Sequence, residues 1–310
     1  MLSYFTYHKK NLIISGLHCT GKSLLLSLLP AVLNVDLINK NPLISNVVSL
    51  YYLKKISFES AKFLIISILN NETYSTFKGR KINLKPSDET SLWNYSDIDK
   101  YFNRIFDSNK KNLKNKFSVF DTHDVLFFYK FWEKIINFKL INLERNPLDI
   151  VYDMYERNLY SYKKHAYYQI TLLEEKNKLI PFYAFFDKKY FLDLNRLEKI
   201  IFITLKKLKK QEEVYKNISP SKKKNILRLN FELLKKTPEA GLKTVSVFLK
   251  SKFNFNYYYK ALLRESNHNI DIEAEREKKN IFIKKNCSKF LYNQLSVASL
   301  IYENNNKFTI

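Results

Sequence analysis

The chain of 310 residues contains four glycines, and two of them stand in one octapeptide, Gly16-Leu17-His18-Cys19-Thr20-Gly21-Lys22-Ser23. An apolar run, residues 11–15 (NLIIS), precedes it, and a helical pattern over residues 22–33 follows, ending near Pro30. A GxxxxGK[ST] loop in that setting constrains the fold more than any other feature, because a buried strand must aim it and a helix must receive it. Each position has a physical task. The glycines let the backbone turn and approach an oxyanion with no Cβ in the way. The amides of the loop and the helix N-terminus then point at phosphate oxygens. Lys22 can set a cation on a terminal or bridging oxygen, and Ser23 can bond a phosphate or a metal. The plain alternative is a tight turn that holds nothing. His18 and Cys19 read as loop fillers rather than catalysts, since Cys19 has no evident base.

The charge is large, with 53 Lys+Arg against 30 Asp+Glu and a formal net of +23. A polyanion partner would explain it, but 45 of the cations are Lys and only 8 are Arg, and 32 residues are Asn. Such a bias follows A+T-rich coding, and the lysines are spread along the whole chain, so no nucleic-acid partner is expected. The densest run, residues 205–224, reads as the solvated face of a helix. With 45% hydrophobic residues a packed core is expected. Two cysteines, Cys19 and Cys287, exclude a disulfide framework. No run is long and apolar enough for a membrane span, and no ordered signal-peptide regions stand at the N-terminus, so a soluble cytoplasmic protein is expected.

Short apolar strands alternate with helical patterns: strand 116–121 (KFSVFD), helix 124–136, strand 138–143 (FKLINL), helix 147–158, and later strand 225–229 (NILRL) with helices 231–250 and 273–303. Residues 57–70 carry helical spacing, and 72–112 read as loops with short helices. The pattern predicts an α/β fold: a P-loop-type central parallel sheet flanked by helices, with a helix-rich C-terminal half, in one domain spanning 1–310. A helical, aromatic-rich region at 160–218 is expected on the acceptor side. Aromatics cluster at 152–192, where they serve either as core or as a cleft on which sugars stack.

The second informative segment is residues 140–157, LINLERNPLDIVYDMYER. It places Arg145 at the carboxyl end of a buried strand, beside a helix that Pro147 opens. Ligands of such sheets bind at that edge. In a chain that favours Lys so heavily, an Arg there suggests a planar contact to an anion. The alternative is an Arg145–Asp149 pair closing the turn.

Here the residues resemble a known family. ISGLHCTGKSLLLSLL is similar to the 5′-phosphosulfate loop of sulfotransferases, and LINLERNPLDIVYDMY to their 3′-phosphate motif, with the Arg-Asn-Pro-x-Asp core kept. Residues 225–249 and 275–303 resemble two further segments of that family, in the same order and spacing. The resemblance implies a 3′-phosphoadenosine 5′-phosphosulfate donor, no metal, and a hydroxyl- or amine-bearing acceptor, with a glycan or glycolipid among the candidates. It implies donor contacts from Gly16, His18, Cys19, Thr20, Gly21, Lys22 and Ser23 at the phosphosulfate and from Arg145 and the position of Asp153 at the 3′-phosphate. It implies catalysis by Lys22 and by His123, whose segment FDTHDVLFF follows a strand 22 residues before Arg145. Asp121 is the second candidate base, and Asp121 and Asp124 flank His123. The chain differs from the family at three points. Cys19 replaces a basic residue, Asp153 replaces a serine, and Glu232 holds an acidic position in an altered segment.

Two other readings stay open. GKS suits an ATP-dependent kinase or NTPase in which Ser23 and Asp121 organise Mg²⁺. An inactive binding module of the same fold is the third.

Overall fold

The computed structural model describes residues 10–95, 98–99, 101, 116–160, 172–175, 178–256 and 272–306. Its centre is β1 (Asn11–Gly16), buried at every position. On one side β1 pairs with β3 (Phe117–Asp121), and β2 (Val35–Lys40) lies beyond it. On the other side β1 pairs with β4 (Phe138–Glu144), and β7 (Ile226–Asn230) lies beyond that. All four pairings are parallel, in the order β2-β3-β1-β4-β7. A separate antiparallel hairpin joins β5 (Leu172–Glu175) to β6 (Lys178–Pro181).

Alternate residues of β1 feed opposite cores, as the two-residue period of a strand requires. Leu12 and Ile14 pack with Leu25, Leu29, Val119, Leu242 and Val245. Ile13 packs with Ile44, Ile65, Phe120, Leu140 and Ile150. Helices therefore cover both faces, which is why the strands read as continuous apolar runs. One face carries α1 (Lys22–Leu28) and the later α7 (Pro238–Leu249). The other carries α2 (Leu43–Tyr52), α3 (Phe58–Phe77), α4 (Pro147–Glu156) and α5 (Arg196–Lys216). The short α6 (Phe231–Lys236) leads into α7, and α8 (Ile272–Asn286) and α9 (Lys289–Asn306) pack on α4.

Local chemistry sets the helix starts. Ser57 Oγ accepts from the Ser60 amide to cap α3, a contact worth about 1 kcal/mol. Asn146 caps α4 by accepting from the Leu148 amide, with Pro147 at the first helical position. Asn195 and Glu198 form a reciprocal capping box on α5, and Glu198 also accepts from the Ser288 amide ahead of α9.

The expected α/β sheet is present, with several differences in its elements. Strand β2 and helix α2 occupy a stretch with no sequence-level assignment. The expected helix 124–136 is a set of turns around one helical turn, Tyr129–Trp132, because its amides alternate between carbonyls three and four residues back, Tyr129 to Leu126 and Phe131 to Phe128 against Trp132 to Phe128, so no continuous α-helical ladder forms. The expected helical region 160–218 includes the β5–β6 hairpin and a 3₁₀ segment, Phe182–Asp187, and its residues 161–171 lie outside the described residues. The expected helix 231–250 breaks before Pro238, and the expected helix 273–303 breaks at Cys287–Ser288. Among the described residues no helix is long and apolar enough to cross a membrane.

Candidate functional site

The chain steps outward from β1 in one direction to reach β2 and β3, and in the other to reach β4 and β7. Crevices open at the carboxyl ends of strands where that reversal occurs. The glycine-rich loop leaves β1 at this point. Gly16 has φ 153°, and a Cβ there would lie 2.7 Å from the Leu143 carbonyl oxygen on β4. Gly21 has φ 86°, and a Cβ there would lie 2.1 Å from the Phe231 ring. Both positions require glycine. Between them Cys19 takes a left-handed φ of 62°, and the Thr20 hydroxyl donates to the Leu17 carbonyl at 2.9 Å, closing the loop on itself. Gly21 stands at the start of α1, where no side chain caps the first amides.

Lys22 is buried, and its ammonium approaches His123 Nδ1 at 2.6 Å and Nε2 at 3.4 Å. Donation from Lys22 requires a lone pair on the imidazole. Burial lowers the Lys22 pKa, against the opposing pull of Asp121 and Asp124. The His18 ring stacks on His123 with centroids 4.0 Å apart and planes 9° from parallel. Burial, then the cations Lys207, Lys22 and Arg157, hold His18 well below the usual imidazole value. Burial also raises the Cys19 thiol, so Cys19 is a poor nucleophile at neutral pH. Ser23, at the first turn of α1, is exposed.

Asp121 ends β3, is buried, and has its pKa raised by that burial, with Lys22 and Lys40 opposing. Lys40 Nζ is 3.8 Å from Asp121 Oδ2. Asp124 does not orient His123 in the manner expected of a flanking carboxylate. Its Oδ2 accepts from the Tyr183 hydroxyl and from Lys207 Nζ at 3.0 Å. Lys207 is 2% exposed, with its ammonium 3.7 Å from the Tyr183 ring centroid. Burial lowers the Lys207 pKa while Asp124 opposes the shift, and burial, with Asp124 beside it, raises that of Tyr183.

At the end of β4, Arg145 turns back to the loop. Its Nη1 donates to the Cys19 carbonyl at 2.7 Å and to Asp153 Oδ2 at 2.6 Å. The guanidinium lies 4.5 Å from the Phe231 ring centroid, the same ring that lies against Gly21. The expected alternative partner, Asp149, is engaged elsewhere, by Arg276 at 3.0 Å and Lys279 at 3.1 Å. Arg276 spans to Glu232 and Glu303, and Tyr302 donates to Glu232. A cavity of about 820 Å³ opens beside that network, lined in part by Leu148, Leu233, Tyr292 and Leu300.

Lys22, His123, Arg145, Asp153 and the loop residues are thus brought together at one sheet edge. Four buried side-chain atoms there have no hydrogen-bond partner among the described residues: His18 Nδ1, Asp121 Oδ1, Asp124 Oδ1 and Arg145 Nε. Lys207 and Tyr183 were not singled out from the sequence. A signal for Lys207 existed, since the buried positions Leu197, Ile200, Thr204, Lys207, Gln211 and Val214 follow three- and four-residue spacing along α5. Of the aromatic cluster, Phe182, Tyr183 and Phe191 are core, whereas Phe186 and Tyr190 are exposed. Among the described residues no group of His, Cys, Asp and Glu is arranged to hold a metal ion.

No protein-family model matches the chain, and no curated protein matches it. Among solved structures it is similar to the sulfotransferase domain from the Synechococcus PCC 7002 olefin synthase, at 12% identity over 82% of this chain and 77% of that one, with a TM-score of 0.40. It is similar to sulfotransferase STF9 from Mycobacterium avium, at 9% identity over 85% and 69%, with a TM-score of 0.43. It is also similar to a sulfotransferase from Alicyclobacillus acidocaldarius, at 15% identity over 89% and 92%, with a TM-score of 0.38.

Proposed function

We propose that this chain is a sulfotransferase that moves a sulfuryl group from an adenosine phosphosulfate to a hydroxyl or amine. The donor implied by the sequence resemblance is 3′-phosphoadenosine 5′-phosphosulfate, and a glycan or glycolipid is the acceptor class in view. One observation carries the reading: the loop over residues 16–23 is approached from two strand ends, by His123 through Lys22 and by Arg145 through the Cys19 carbonyl. The unpartnered Arg145 Nε and the absence of a side-chain cap on α1 fit a polar, anionic ligand.

In this reading the amides of residues 19–23 bind the phosphosulfate, which supplies an activated sulfur. His123 takes the proton of the acceptor as the acceptor oxygen bonds to sulfur and the sulfur–oxygen bond to the phosphate breaks. Lys22 neutralises the charge that grows on the departing phosphate oxygen. The ammonium has three donors, so Lys22 can bond the departing oxygen while it still holds His123, and His123 acts as base once the lone pair facing Lys22 is released. Within the described part of the 152–192 cluster, Phe186 and Tyr190 are exposed and available to an acceptor.

The kinase reading has one observation in its favour, the unpartnered Oδ1 of Asp121 at the end of β3. Thermal unfolding separates the two. Adenosine phosphosulfates in EDTA are expected to raise the melting temperature, by about 2.7 kcal/mol of stabilisation at a hundredfold excess over Kd. Lys22→Ala and Arg145→Ala are each expected to weaken that binding by more than about tenfold. Stabilisation by ATP with Mg²⁺ alone, or unchanged binding in both variants, overturns the assignment.

A further inference from the structure

Helix α9 differs from the rest of the surface. It runs for 18 residues with two charged side chains, Lys289 and Glu303, in a chain in which 27% of residues are charged. Four of its apolar residues are exposed: Phe290 at 64%, Val297 at 55%, Leu300 at 58% and Ile301 at 56%. Positions i, i+7, i+10 and i+11 fall on one helical face, opposite the buried Leu291, Leu295 and Ser299. These side chains present roughly 400 Å² of apolar surface, the scale at which a patch marks an interaction site rather than scattered exposure. Apolar anchors with charge depleted around them are also the compositional mark of an interface core. Leu300 lines the cavity of about 820 Å³ as well, so the face and the cavity are continuous.

The pattern fits a second copy of the same helix. A two-fold axis makes one patch meet itself, and helices packed across it run antiparallel. Setting Phe290 opposite the partner's Ile301 sets Gln294 opposite the partner's Val297, which keeps the uncharged middle of each helix on the axis. The same register brings Lys289 beside the partner's Glu303, so the two charges of the helix meet with opposite sign at both ends. Lys289 is exposed, and the Glu303 side chain is 36% exposed although it also bonds Arg276 at 3.1 Å. A parallel pairing would instead set Lys289 against Lys289 and Glu303 against Glu303, and like charges select against it. Two copies bury roughly 800 Å² of apolar surface with a polar rim around it, at the low end of specific interfaces.

We propose that this chain forms a reversible two-fold dimer through the exposed face of α9, packed antiparallel on the same helix of a second copy. The inference is independent of the function proposed above, since it uses no residue of the glycine loop and neither His123 nor Arg145. Phe290, Val297 and Ile301 supply the apolar contact, and Lys289 with the partner's Glu303 fixes the direction of pairing.

Sedimentation equilibrium on the full chain over a range of concentrations tests it. A monomer–dimer equilibrium with a dissociation constant on the order of 10 µM is expected. Val297→Glu and Ile301→Glu, both at exposed positions, are each expected to weaken it at least about tenfold, whereas Phe63→Glu, at an exposed position of α3, is expected to leave it unchanged. Zero-length carbodiimide crosslinking reads the geometry on the natural sequence, should the α9 variants fail to fold. Lys289 and Glu303 lie about 21 Å apart along one helix, too far for a direct amide, so a Lys289–Glu303 crosslink arises only between copies. A monomer at every concentration, a dimer indifferent to both α9 variants, or crosslinked dimers without the Lys289–Glu303 pair overturns the inference.

Discussion

At the scale of single residues, His18 makes a prediction of its own. Burial and three neighbouring cations keep its imidazole neutral in the folded chain. The unfolded chain takes up a proton near the ordinary value of 6.5. Stability is therefore whole above that pH and is lost as pH falls below it, down to the depressed folded value. Urea unfolding at pH 7.5 and pH 5.5 is expected to differ by about 1 kcal/mol from this residue. His18→Gln is expected to flatten that part of the slope, and an unchanged slope would assign the effect to other groups. The positions of His18, Lys22, His123 and Arg145 at one sheet edge were legible, because a strand end and a glycine loop locate a residue without any knowledge of tertiary contacts. The partner of Arg145 was not. Choosing Asp153 over Asp149 depends on where α8 places Arg276 and Lys279, and no local spacing encodes that.

At the scale of elements, α5 contributes more than cover. Its Lys207 reaches Asp124 in the turn after β3 and, with Tyr183, holds the left-handed residue that follows His123. Lys207→Met leaves a buried carboxylate without its cation and is expected to cost about 3 kcal/mol in denaturant unfolding. Adding Asp124→Asn is expected to restore part of the loss, because both charges are then gone. A double variant no more stable than the single one would contradict the pairing. Reading the lysine run 205–224 as a solvated face hid this residue. Lys207 lies on the buried stripe of α5, whereas Lys206, Lys209 and Lys210 do not. Strand β2 was hidden for a related reason. VDLINK buries Asp36 and Asn39, two residues that strands disfavour. Their polar groups are met locally: the Leu37 amide donates to Asp36, Asn39 donates to the Val119 carbonyl, and the Thr76 hydroxyl donates to Asn39. Strands β1, β3, β4 and β7 carry apolar runs between helical patterns and were readable.

At the scale of the whole molecule, Arg276 joins parts of the chain that are far apart in sequence. Its guanidinium meets Asp149 of α4, Glu232 of α6 and Glu303 of α9. Its side chain is 16% exposed, so the pairs are poorly screened compared with surface ion pairs. Arg276→Met removes the cation shared by Asp149, Glu232 and Glu303, leaving Asp149 to Lys279, and is expected to cost about 2 kcal/mol, read as a lower melting temperature. Arg276→Lys is expected to recover less than half, since an ammonium cannot reproduce the three-way fork. Full recovery would mean that net charge, not geometry, is what the position supplies.

That junction also orders events during biosynthesis. Tyr302 and Glu303 follow every other member of the junction in the chain, so a ribosome releases them last. The strands and the glycine loop can form while synthesis continues, since domains consolidate from the N-terminal side. The nascent protein would therefore form its glycine loop before this junction, which cannot close until Tyr302 and Glu303 have been synthesised.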